Sequence, residues 1–407
     1  MQAATLKSLE VQMRLNASRD ALGPDLESLE ELQWSRSIRG GRRSNRSRRH
    51  HHRRWLLRRR AKIQRCRIRK IRQSRSIESH LASALSMNKH TVTSVRCDDS
   101  RRITINLPER LNFLEDYEDT CSHFAILRNA VEKGWRIKRL DFSKISSIST
   151  SAALVLASTV DQWKERVRGR LKADLPSWQA DITRLLCQMG YFELLGLRKP
   201  AHEWPRGDTT FLPFMRGKVG GEDSGAMAKQ LRVNIENMVG GSIRKHFLFE
   251  GLSEAITNVS QHAYTDVVDD KRKYWWLSAS FNSVTRELCV TFYDKGVGIP
   301  KTLPAHKLFE KIKLVFDAWS DSKKIEAAME IGRTSSGMEE RGKGLQNLIE
   351  FAKAHEIGKV RVSSLRGCFE EAYETGQSGE QEMGRSRTDF RHSVGGTLIE
   401  WSVILKC

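Results

Sequence analysis

The sequence contains no window approaching the roughly 18 consecutive apolar residues of a membrane-spanning helix, and Met1 to Leu15 has no apolar core of signal-peptide length. A soluble, cytoplasmic chain with no membrane partner is the expectation. There is no Cys-x-x-Cys pair either. The seven cysteines, at 66, 97, 121, 187, 289, 368 and 407, are odd in number and spread along the chain, which argues against a zinc ribbon or a disulfide framework and for reduced thiols. Acid is missing from one long stretch: Arg36 to Ile77 holds 19 Lys or Arg and no Asp or Glu. Setting that stretch aside leaves 51 basic against 49 acidic residues, so nearly all of the net charge of +21 belongs to about one tenth of the chain. No internal repeat is visible. What remains is long enough, at 407 residues, for two or three buried cores.

Residues 1–35 alternate apolar and charged positions at helical spacing and end acidic (Asp25, Glu27, Glu30, Glu31), which predicts a solvated helical segment. Residues 36–78 form an Arg-rich arm. Up to His52 it is rich in Gly, Ser, Asn and Arg and lacks an apolar stripe, so no packed structure is expected there when unbound. From Arg53 to Arg75, Trp55, Leu56, Ile63, Cys66 and Ile71 recur among Arg and Lys near helical spacing, which suggests a helix formed on an anionic partner. The pattern is globular from about residue 91. RRITINLPE and IKRLDFSKI are expected as strands, SAALVLASTVDQWKERV as a helix, and 201–225 as a linker between a domain at 91–200 and another at 226–407. The fold class expected is α+β.

The last region carries the chemistry. FEGLSEAITNVSQHAY (249–264) is apolar at Phe249, Leu252, Ile256 and Val259 and should be a helix, with Glu254, Asn258 and His262 at i, i+4 and i+8 on one side. KYWWLSASF and ELCVTFYD are expected as antiparallel strands, the second running into Asp294-Lys295-Gly296-Val297-Gly298. Glycines there let the backbone approach a ligand, and the Asp294 carboxylate can accept from an exocyclic amine. Glu340-Arg341-Gly342-Lys343-Gly344 opens a second apolar helix whose first amides are offered to an anion. Gly395-Gly396-Thr397 leads into the strand LIEWSVIL.

These four segments, in this order over about 226–407, resemble the GHKL ATP-binding superfamily of gyrase, mismatch-repair ATPases, sensor histidine kinases and anti-sigma-factor serine kinases. The resemblance implies an α/β sandwich with helices on one face of a mixed sheet, and ATP with Mg²⁺ as cofactors. It gives Asn258 the Mg²⁺ and Asp294 the adenine amine. Gly296, Gly298, Gly342 and Gly344 become nucleotide-contacting loops, Lys343 a phosphate contact, and Thr397 a support for the adenine end. Glu254, in the E-x-x-x-N spacing, becomes the general base, and the stretch from Pro300 to Gly342, with Arg333, Thr334 and Ser335, a lid. An ATP-dependent homodimer is a further implication. His262 and the run His50 to His52 are read as structural and cationic rather than chemical.

LDFSKISSISTSAALVLAS followed by LLCQMGYFELLGL is similar to the STAS domain, the fold of anti-anti-sigma substrates, and Ser151 stands at the place of its phosphorylated serine. Ser149-Thr150-Ser151-Ala152-Ala153 lacks the family's acid and glycine, and a helix N-cap accounts for the serines without phosphorylation. Fusion of kinase and substrate-like folds implies an internal clamp, with the STAS-like unit docked near the ATP lid. In the arm Arg outnumbers Lys 17 to 2, and guanidinium groups fork onto phosphates and stack on unpaired bases. Nucleic acid is the partner expected, RNA ahead of DNA, through Arg42, Arg43, Arg46, Arg48, Arg49, Arg53, Arg54, Arg58, Arg59 and Arg60. Three functions compete: an ATPase regulator whose nucleotide state governs a protein or nucleic-acid interaction, a serine kinase acting on an STAS-like regulatory protein, and a nucleic-acid-binding regulator with purely structural ATP.

Overall fold

The computed structural model describes residues 95–97, 102–132, 136–167, 173–199, 207–219, 224–241, 251–253, 255–257, 259, 263–264, 273–302, 318–334, 344–376 and 381–406. All lie in the second of two units into which the chain divides, Met1–Gln73 and Ser74–Cys407. The segment 1–35 expected to be helical, the arm 36–78, Glu254, Asn258, His262, Ser335, Gly342 and Lys343 fall outside the described residues. Among the described residues no helix is long and apolar enough to cross a membrane.

The first part opens with β1 (Val95–Cys97), β2 (Arg102–Asn106) and β3 (Arg110–Leu111), then α1 (Tyr117–Glu132), β4 (Arg136–Asp141), β5 (Ser147–Ile148) and α2 (Thr150–Val167). It closes with α3 (Ala180–Gln188) and α4 (Tyr191–Leu195). β2 pairs antiparallel with β1 and parallel with β4, so α1 is a crossover between parallel strands. The two expected strands and the expected helix are in place. Ser149 caps α2: its hydroxyl accepts the Ala152 N–H at 3.2 Å, satisfying one of the unpaired amides of the first turn.

Two short strands, β6 (Thr209–Phe211) and β7 (Met215–Lys218), occupy the stretch expected as a linker, and both pair antiparallel with β8. Pro213 separates them, and neither is long enough for an alternating pattern to register. After α5 (Ser224–Val239), residues 251–253 and 255–257 are helical. There follow β8 (Tyr274–Asn282), β9 (Glu287–Asp294), α6 (Ile299–Thr302), α7 (Asp321–Thr334) and α8 (Gly344–Lys353). The last strands are β10 (Ile357–Ser364), β11 (Gly367–Thr375), β12 (Gln381–Asp389) and β13 (Thr397–Ile404). They build an eight-stranded sheet in the order β12-β11-β10-β13-β9-β8-β6, with β7 also on β8. A mixed sheet was the expectation, but each described pairing is antiparallel, because successive strands return by hairpins or from the far edge.

Period-two alternation gives this sheet two buried faces. Trp275, Leu277, Ala279, Val290, Phe292, Ile399 and Trp401 share a core with Leu231 and Ile235 of α5 and with Leu252, Ile256 and Val259, three of the apolar positions picked out in the sequence. From the other face Trp276, Tyr293 and Leu398 enter the core of the first part with Ala152, Val155 and Leu156 of α2. Large aromatics bury roughly 150–250 Å² each, worth about 4–6 kcal/mol at ~25 cal/mol/Å² as an upper bound, so Trp276 and Tyr293 are major ties between the layers. Polar pairs border them. Arg216 of β7 reaches Asp161 at 2.9 Å and Glu165 at 2.6 Å, Trp276 Nε1 donates to Asp161 at 3.2 Å, and Thr150 Oγ1 donates to Ser280 at 3.0 Å.

Candidate nucleotide site

Asp294 ends β9 beside the first residue of β13, its register partner Thr397. It is only 3% exposed. Its carboxylate accepts the Gly296 N–H at 2.7 Å and hydrogen bonds from the main chain and side chain of Thr397. Burial pushes the carboxyl up to about 7 in spite of these donors. A buried, hydrogen-bonded acceptor at a strand end is suited to an amine donor on a ligand.

Three glycines let neighbouring backbone close around this carboxylate. A Cβ on Gly296 would lie 2.3 Å from the Ala263 carbonyl oxygen, which also accepts the Val297 N–H at 2.7 Å. Gly396, at φ 131°, admits the Asp294 carbonyl to within 2.0 Å of where a Cβ would stand. Gly298, at φ 89°, turns the chain into α6 beside Ser364 and Leu365. The Ser364 hydroxyl links the parts: it accepts the Ile299 N–H at 2.9 Å, lies 3.1 Å from Thr397 Oγ1 and 3.2 Å from the Gly396 carbonyl. Tyr264 holds the other side, taking the Lys295 N–H at 3.1 Å and donating to the Tyr274 carbonyl.

The structure thus brings Asp294, Gly296, Gly298 and Thr397 together at one end of β9 and β13. Gly344 opens α8, whose side chains pack at Ile349, Phe351 and Ala352 into the same core as Leu252, Ile256, Val259 and Tyr264. Ser364 and Tyr264 were not singled out in the sequence; their partners lie 10 to 65 residues away, and a lone Ser or Tyr carries no local signal. No group of three His, Cys, Asp or Glu able to hold a metal occurs among the described residues. The one Mg²⁺ ligand that the superfamily pattern supplies, Asn258, lies outside them.

Ser151 lies away from this cluster. It is 1% exposed, 3.1 Å from the Ser149 hydroxyl and hydrogen-bonded to Glu400 of β13, on the sheet face covered by α2. The hydroxyl is closed to a phosphoryl donor in this arrangement, and the cap of α2 belongs to Ser149. The first part docks on the sheet face, through α2 on β8 and β9. An open polar cleft of about 480 Å³ lies elsewhere, along β2 and β4, but its Arg139 is committed to Asp141 and Asp174 at 3.3 and 3.2 Å. No protein-family model and no curated protein matches the chain.

Proposed function

We propose that this chain binds ATP in the manner of the GHKL superfamily, that its middle part is an STAS-like module built onto the back of the nucleotide-binding sheet, and that nucleotide state controls a cytoplasmic interaction with nucleic acid, RNA in preference, through the Arg-rich arm. The buried Asp294, cradled by Gly296 and Gly396 and backed by Thr397, carries the reading: it is an acceptor shaped for an adenine amine. Asn258 would hold Mg²⁺, which neutralises phosphate charge when bound. Gly342, Lys343 and the first turn of α8 would receive the phosphates. Glu254, four residues before Asn258, would take a proton from the attacking water. Incubation with γ-labelled ATP, with and without RNA, tests the proposal; label released to water supports it, and absence of nucleotide binding refutes it. Glu254→Ala is expected to retain ATP binding while turnover falls about 10²-fold or more, the scale of losing a general base.

Burial of Ser151 favours the ATPase regulator over a kinase acting on its own STAS-like part. Ser151→Ala is expected to leave ATP turnover at the wild-type rate. Intact-mass and phosphopeptide measurement after incubation with ATP should show no phosphate at Ser151 in the parent chain, and stoichiometric label there would reinstate the kinase reading.

A further inference from the structure

The turn that delivers Thr397 to Asp294 is gripped from outside its own sheet. Arg128 of α1 donates from both terminal nitrogens of its guanidinium, to the Val394 carbonyl at 2.8 Å and to the Ser393 carbonyl at 2.7 Å. The first turn of the same helix takes the preceding residues. The Glu118 carboxylate accepts the Arg391 N–H at 2.5 Å, the His392 N–H at 3.2 Å and the His392 imidazole at 2.7 Å, and Tyr117 stacks on Phe390 with ring centroids 3.7 Å apart. From the sheet side, the Tyr293 hydroxyl donates to the Gly395 carbonyl at 2.9 Å and lies 3.2 Å from the Val394 carbonyl.

The two adjoining glycines divide the work. A Cβ on Gly395, at φ 79°, would come within 2.8 Å of the Arg128 guanidinium, whereas Gly396 makes room for Asp294. Gly395 therefore faces the first part of the chain and Gly396 faces the candidate site. The adenine-end turn is one residue thick between an arginine of the STAS-like part and the acceptor of the nucleotide site.

We infer that α1 is a positioning element for the nucleotide site, with Arg128 as the positioning residue that fixes Ser393 to Gly396 and thereby holds Thr397 on Asp294. Anything that shifts α1 relative to the sheet then changes nucleotide affinity, which gives the STAS-like part control of the site from the face opposite the helices. Arg128 acts through the turn and touches no ligand. The effect on nucleotide rests on the ATP reading; the bracing of the turn does not.

The test uses the full-length protein and two readouts. Without nucleotide, amide exchange is followed at Leu365 and Val394, whose N–H groups bond to the Gly396 and Leu365 carbonyls. Arg128→Ala is expected to speed both by roughly 10- to 100-fold, the scale of losing a charge-assisted hydrogen bond, and Arg128→Lys, with one donor direction instead of a fork, by less. With Mg-ATP, Arg128→Ala should weaken binding by roughly 10-fold with partial rescue in Arg128→Lys. Arg216→Ala, which cuts a different tie between the layers, is the control and should change neither readout at this turn. Unchanged exchange in Arg128→Ala, or faster exchange with wild-type ATP affinity, overturns the inference, as does an equal effect of Arg216→Ala. If Arg128→Ala does not fold, Arg128→Lys decides by the same criteria. A parent protein that binds no adenine nucleotide refutes the ATP reading, and exchange alone then decides the bracing.

Discussion

ATP is expected to bind on the order of 10⁴-fold more tightly than GTP at pH 8, and Asp294→Asn is expected to remove most of that preference. The argument is one of donors and acceptors. An ionised Asp294 has only lone pairs to offer, so an adenine amine completes its hydrogen bonding, whereas the carbonyl of guanine at the corresponding position sets acceptor against acceptor. Both groups are removed from water, and a site built to bond a ligand N–H discriminates by roughly 10⁴–10⁵ against an analogue that lacks it. The side-chain amide introduced by the substitution offers a donor as well as an acceptor, so the variant can serve either base. Calorimetric titration of both nucleotides into both proteins measures this, and equal affinity of the parent protein for ATP and GTP would remove Asp294 from the base site.

The same carboxyl supplies a pH signature. Its ordinary value is 3.8 and burial raises it to about 7 in the folded chain. The folded state therefore holds a proton that the unfolded chain releases. The associated stability is fully present below about pH 4, is lost progressively as pH rises towards 7, and stays lost above. Below about pH 7 the neutral carboxyl can also donate to a guanine carbonyl, so discrimination against GTP should shrink from pH 8 to pH 5.5. In Asp294→Asn both pH dependences should flatten.

Much of this site was legible in the sequence because its geometry is local. Glycines two and four residues after Asp294, and a Thr after paired glycines at a strand start, announce a close approach at those positions. β8 and β9 were legible because Leu277, Ala279 and Phe281 alternate with Ser278 and Ser280, and Leu288, Val290 and Phe292 with Cys289 and Thr291. The same alternation hid the architecture. Ser278, Ser280 and Thr291 suggest a sheet face open to water, yet all three are buried. The two serine hydroxyls find partners only in the fold, Ser278 at the Leu212 carbonyl and Ser280 at Thr150, and small side chains let α2 approach closely. A polar stripe means solvent in one context and a hydrogen-bonded interface in another, and pattern alone does not distinguish them. For the same reason Arg128 gave no signal: its partners Ser393 and Val394 are more than 260 residues away.

The largest expected effect belongs to the arm. If six to ten of the 19 basic residues between Arg36 and Ile77 neutralise phosphates, RNA affinity of the intact chain should fall by roughly 10³ to 10⁵ between about 50 and 200 mM salt, because each contact releases counterions. Deleting 36–77 leaves 51 Lys plus Arg against 49 Asp plus Glu, and with the charge goes the slope. The deletion ends within four residues of Gln73, after which the second unit begins, so that unit should keep its fold and its candidate nucleotide site. A titration of fluorescent single-stranded RNA at several salt concentrations, run in parallel on both proteins with and without Mg-ATP, separates three outcomes. Loss of binding with ATP affinity intact supports an arm that is the nucleic-acid contact. Salt-steep binding that survives the deletion moves the contact to the globular part. A difference between the ATP-bound and free intact chain, absent after deletion, is the result that would tie the nucleotide site to the arm, because near-neutral globular surfaces alone offer too few phosphate contacts to generate it.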